Sequence, residues 1–257
     1  DADTNGNSNP IKIDQKNEIT FKDTSKLKFD FGIKTSGKNT TITRKNPDFP
    51  FIKINKKKNI TLDFEAANYK FWTYDWRISF EKGDKYNSWN SDGYKREFYK
   101  IAGSYFPNDN LKINMQYRVR KENEWLIWTE DNKFGLYDSE QDTVSIGLNW
   151  FSGNKHEIRL KSQFVALQAD NPQSLISDSD GYLYESDDLI KPFTQGVVSF
   201  QVRYKYEIAP LSYLYLVYSK GGTSYDEDED YSKSEIFNQP WNNPSDEVYS
   251  IKFRLKY

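Results

Sequence analysis

His156 is the only histidine of the chain, and that bounds the chemistry available to it. A Ser–His–acid relay needs an imidazole held between a nucleophile and a carboxylate. Ser152 lies close to His156 in sequence, so a hydroxyl–imidazole pair of the kind that cleaves esters can be drawn. Both residues, however, flank the turn signal Ser152-Gly153-Asn154, where an interfacial or turn histidine is the plainer reading. One imidazole cannot make a histidine-based metal site without other ligand types. The chain has no cysteine, which removes disulfides, thiolate nucleophiles and zinc–thiolate sites. An oxidising compartment suits such a composition.

Carboxylates offer two more openings. Asp1-Ala-Asp-Thr-Asn-Gly sets oxygen-bearing side chains at alternate positions with Gly at the sixth, as a calcium loop begins. Position twelve is Lys12, where such a loop needs a bidentate Glu, so the stretch reads as a flexible polar linker. Asp178-Ser-Asp-Gly and Asp226-Glu-Asp-Glu-Asp-Tyr are carboxylate clusters that could hold divalent cations bridging lipopolysaccharide phosphates. They read equally as solvated loops. We therefore expect no catalytic residue, no metal site and no cofactor, in a protein that is not an enzyme.

The larger signal is a set of cations at every second position. In the last segment, Tyr249, Ile251, Phe253, Leu255 and Tyr257 alternate with Ser250, Lys252, Arg254 and Lys256. A strand repeats every two residues, so one wall is apolar and the other cationic. The five apolar residues, ending on an aromatic, are also expected to be the assembly signal of a barrel's closing strand. Residues 72–81, 111–120, 157–166 and 198–207 alternate in the same way. The residues expected to line an interior are Arg77, Lys112, Arg118, Arg120, Glu157, Arg159, Lys161, Arg203, Lys205, Glu207, Lys252 and Arg254. Over all such positions the basic side chains outnumber the acidic ones two to one. Enclosed charges must be paired or hydrated. They form either a salt-bridged plug in a narrow barrel or the lining of a wider, anion-preferring pore.

These side chains must be positioned by strands. Alternating runs come in pairs around short turns at 68–70, 107–110, 152–154 and 209–210, rich in Gly, Pro, Asn and Asp. A first run at 26–34 and the last at 247–257 bring the expected number to about ten. Long polar segments join the pairs, so short turns gather at one end and long loops at the other. Outer-membrane barrels are built this way, with short periplasmic turns, and soluble sandwiches have no reason to sort their loops. At 257 residues the chain suffices for one barrel. Lys and Arg (36) nearly cancel Asp and Glu (38), which gives no sign of nucleic-acid binding. A mean hydropathy of -0.89 excludes helical spans. Yet aromatics make up 17 %, and at least one sits beside each short turn: Tyr69, Tyr105, Phe106, Trp150, Phe151, Tyr213 and Tyr257. Rings at one level are expected to form an interfacial girdle.

Two stretches, Val144 to Ala169 and Phe200 to Gly222, resemble the C-terminal barrel of a family of Gram-negative surface proteins of unassigned function. In that family a domain resembling family 9 carbohydrate-binding modules precedes the barrel. The resemblance runs from about residue 140 to the end. It implies an outer-membrane barrel preceded by a further N-terminal domain, and it leaves room for a larger barrel of which this is the C-terminal part. With the alternation, the expected fold is an all-β, antiparallel up-and-down transmembrane barrel over 25–257 after a polar linker or N-terminal extension over 1–24. It implies a place in the cell outer membrane and supplies no reaction. The expected role is passage or docking of a solute, with a glycan among the candidates because of the family's neighbouring domain. The alternatives are a sealed structural or partner-binding barrel and a soluble β-sandwich binding module. Expected partners are outer-membrane lipid and lipopolysaccharide, the barrel-assembly machinery, and a glycan or small anionic solute; nucleic acid is not among them.

Overall fold

A computed structural model describes residues 10–44, 48, 51–84, 93–227 and 230–256. The strands are β1 (Lys12–Thr20), β2 (Lys26–Lys34), β3 (Gly37–Asn39), β4 (Ile52–Ile54), β5 (Lys57–Glu65), β6 (Trp72–Gly83) and β7 (Lys95–Asn108). They continue as β8 (Leu111–Glu130), β9 (Lys133–Ser152), β10 (His156–Ser177), β11 (Leu183–Glu185), β12 (Phe193–Ala209), β13 (Ser212–Glu227) and β14 (Asp246–Arg254). One helix, α1 (Lys233–Asn242), precedes β14. A single 12-stranded sheet runs β1-β2-β5-β6-β7-β8-β9-β10-β12-β13-β14, with β11 on β10 and with β3-β4 as a separate ribbon. Every neighbouring pair in that path is antiparallel. Among the described residues the only second sheet is the two-stranded β3-β4 ribbon, which meets the large sheet through Ile52 and Ile54, too little to make the two facing layers of a sandwich. The path has one strand more than the ten expected, because Lys12–Thr20, assigned above to a linker, forms β1.

Register turns the alternation into two walls. One row reads Leu27, Phe64, Trp76, Ile101, Tyr117, Val144, Phe164, Val198 and Gly222 across nine strands. On this apolar wall Ile101, Met115, Tyr249 and Ile251 are each more than half exposed, as a lipid-facing surface must be. At the short-turn end, Tyr69 stacks on Trp72 at 4.6 Å and Trp72 on Tyr74 at 5.2 Å. His156 joins them: it stacks on Tyr206 at 4.9 Å, and its Nδ1 lies 2.7 Å from the Tyr204 hydroxyl. The expected girdle needs one correction. Phe151 pairs in register with Glu157 and Tyr213 with Arg254, and Phe106 follows outward Tyr105 and lies against Lys112, so these three rings fall on the charged wall. There Lys205 Nζ lies 4.4 Å from the Tyr213 ring centre, a cation–π contact. Tyr257 lies outside the described residues.

At the other end β8, β9 and β10 reach 20, 20 and 22 residues, about twice what a membrane crossing needs. Ladder shifts at Glu122/Trp125 and Asp170/Gln173 break their regular part from their tips. Glu124 and Asn171, at those shifts, have φ of 54° and 49°. Such bulges re-aim side chains. Beyond them Leu126, Phe134, Leu136 and Leu175 pack with Ile52, Ile54 and Leu183 into a small core. Asp178 shapes the turn that joins it: its Oδ1 accepts from the backbone N–H groups of Asp180 and Tyr182, and its Oδ2 from the Tyr184 hydroxyl. That carboxylate spends its lone pairs on its own turn. The Asp1–Asn9 stretch and Asp228–Glu229 lie outside the described residues.

Helix α1 lies on the apolar wall. Ser232 and Glu235 form a capping box, with the Glu235 carboxylate accepting from the Ser232 hydroxyl (2.6 Å) and backbone N–H (2.8 Å). These hydrogen bonds, the hydroxyl's first, hold the Glu235 carboxyl below its usual range. Phe237 and Trp241 meet Phe164, Trp241 also meets Phe200, and Lys233 ion-pairs with Glu140 and the buried Asp142. A carboxylate on a lipid-facing wall is costly, and α1 shields this one. The helix comes this close because Gly196 and Gly222 lack side chains: a Cβ there would sit 2.3 Å from Ile236 O and 2.4 Å from Pro240 O. Gly222→Ala should therefore lift α1 off the sheet. Limited proteolysis should then cut between residues 230 and 245 while the strands stay intact; a protected helix would show that the wall can yield.

Candidate functional site: the charged wall

All twelve residues expected to line an interior fall on the wall opposite the apolar one, by register. The sheet brings them together in layers. Near the short-turn end Lys112, Asn149, Arg159 and Arg203 share one row, and Glu157, Lys205 and Lys252 the next. Glu157 is the pivot. Its side chain is 10 % exposed and faces Arg203 at 3.4 Å, Lys205 at 3.7 Å and Arg159 in closer contact. Lys112 lies 5.1 Å from the Phe106 ring centre. Glu207 and Arg254 both face Tyr213 in register. Cations thus outnumber carboxylates in this block.

Above it runs a band with hardly any charge. Asp75, Ala102, Gln116, Ser145, Gln163 and Ser199 form one row, and Thr73, Ser104, Asn114, Gly147, Lys161 and Gln201 the adjacent one. Together they floor a groove of about 610 Å³. Ser104 donates to Asn114 at 2.8 Å, and Lys100 ion-pairs with Asp75. The remaining hydroxyls and amides offer donors and acceptors at strand spacing, which suits a polyhydroxylated solute. Sequence reasoning passed over this floor because it looked for charge; the same inward positions, read for Ser, Thr, Asn and Gln, would have found it.

Toward the long-loop end, charges pair. Arg77 meets Asp63, Arg96 meets Glu81 at 3.0 Å, and Arg120 meets Glu122. Buried Tyr94 donates to Glu122 at 2.9 Å, and Lys57 Nζ sits 3.1 Å above the Tyr94 ring centre. Arg118 Nε and Arg120 Nε are buried without a hydrogen-bond partner. Asp14 and Asp30, on the strands nearest the amino terminus, line the same side with Lys12 and Lys16. The basic excess is therefore concentrated over β8 to β14.

A single antiparallel sheet with a lipid-compatible wall, a polar wall and loops sorted by length defines the transmembrane β-barrel class, of the outer-membrane type. No family model and no curated protein matches the chain. Among solved structures it is similar to the copper transporter OprC, at 10 % identity and a TM-score of 0.50, over 95 % of this chain and 41 % of that one. The ferric yersiniabactin uptake receptor FyuA from Yersinia pestis also aligns, at 11 % identity and a TM-score of 0.44, over 95 % of this chain and 41 % of that one. The likeness to OprC supports the fold alone. The chain spans 41 % of that barrel protein's length.

Proposed function

We propose that this chain forms part of an outer-membrane barrel that passes or docks small anionic, hydroxyl-rich solutes, with acidic glycans as the leading class. The observation that carries the reading is the layering of the charged wall. A groove of mostly hydroxyls and amides, with Asp75 and Lys161 its only charges, leads into a block where Arg159, Arg203 and Lys205 contact Glu157 and Lys112 and Lys252 stand in the same two rows. Net positive charge along a wet wall concentrates anions and repels cations. Glycan as the class is supported by the groove's hydroxyls and amides and by the family resemblance; its location in the cell outer membrane is supported by the fold. The reading involves no catalysis, since His156 is engaged by Tyr204 at the girdle.

The test is electrical. The full polypeptide carrying this chain, reconstituted in a planar bilayer under a salt gradient, should give a reversal potential of anion preference. Arg203→Glu with Lys205→Glu should move that potential toward cation preference. Cation preference in the unaltered protein would sink the proposal. Membranes that stay silent would favour the sealed, partner-binding barrel.

A further inference from the structure

The directions of the two sheet edges restrict what can cover them. Since each neighbour in the eleven-strand path is antiparallel to the last, β1 and β14 run the same way. Both begin at the long-loop end and finish at the short-turn end. A seam between β1 and β14 would be parallel, unlike every other pairing in the wall. A second copy in the same membrane orientation would bring its β14 against β1 and meet the same obstacle. Leaving the edges open is no solution either, because lipid offers no partner to their N–H and C=O groups. Nor are the edges blunted by outward charge as free edges are: Ile13 and Ile19 on β1, and Tyr249, Ile251 and Phe253 on β14, are exposed and carry the apolar wall to both margins.

We propose that an odd number of further antiparallel strands, amino-terminal to Asp1 in the same polypeptide, bridges β14 to β1 and closes the barrel. The first must pair with β14 and run toward the long-loop end. The last must also run toward that end, since it feeds β1, which starts there. Only an odd number meets both conditions. The share of the OprC barrel protein that this chain covers, 41 %, leaves room for such strands. We place them before β1 because the alternating Tyr249, Ile251, Phe253 and Leu255 face of β14 has the form expected of a barrel's closing strand. The inference concerns the wall and stands whether or not the barrel conducts.

The absence of cysteine makes the test clean. Gln15→Cys and Ile251→Cys, made separately in the full polypeptide folded in detergent, are each labelled with a benzophenone maleimide and irradiated. Peptide mapping should identify both cross-linked partners as segments amino-terminal to Asp1. Hydrogen exchange should show the β1 and β14 amides protected as strongly as those of β9. A cross-link from one edge to the other, to a second copy, or to a segment after Tyr257 would overturn the proposal. So would a folded protein whose edge amides exchange more than 100-fold faster than those of β9.

Discussion

Met115→Arg should destabilise the membrane-inserted protein by about 2–4 kcal/mol, the cost of a cation on the lipid face of a barrel near the bilayer midplane. Met115 stands halfway along the spanning part of β8, 58 % exposed on the apolar wall. Lipid cannot hydrate the guanidinium, and a residue this far from either end has little chance to snorkel. Gln116→Arg, one residue on, should cost about 1 kcal/mol or less, since it enters the polar groove. The pair is read by reversible urea unfolding in lipid vesicles, following tryptophan emission. Equal costs, or the larger cost at Gln116, would show that the walls are assigned the wrong way round.

Glu157→Ala should cost about 3 kcal/mol, the low end for breaking a buried ion cluster, because Arg159, Arg203 and Lys205 stay partly wet. The loss comes mainly from three cations left facing one another without their shared carboxylate. Glu157→Ala combined with Arg203→Ala should therefore recover part of it. A double-mutant cycle with no coupling between the two positions would mean that water already screens the cluster.

The apolar wall was legible because its period is two and its outward residues are large: Trp72 to Phe80, or Leu111 to Val119, leave no other reading. β1 was hidden for the converse reason. Its outward positions are Ile13, Gln15, Asn17 and Ile19, so the edge strand is half polar where its neighbour β2 offers Leu27, Phe29, Phe31 and Ile33. The tips of β8, β9 and β10 look like loops in sequence because the bulges reset the phase of the alternation. Helix α1 carried a signal that could have been used: Ser232-Lys-Ser-Glu235 is a capping box, though Pro240 near its end argued for a loop. Of the charged wall, the identities were legible and the layering was not. Which cations share Glu157 depends on stagger between strands, and stagger is written in pairings rather than in any one strand.

The length of β8, β9 and β10 has a consequence of reach. Twenty-two residues at about 3.3 Å each, tilted by about 40°, climb roughly 55 Å, some twice the height of the lipid band. The three strands thus stand as a palisade above the headgroups, stiffened by the core around Phe134 and Leu175. A molecule drifting toward the cell from the long-loop side touches this rim well before it touches lipid. If the barrel conducts as proposed, affinity for the rim would set how often a solute tries the entrance, and the charged wall below would set how often it gets through. Sorting at the doorway and sorting in the passage can then be altered by separate mutations.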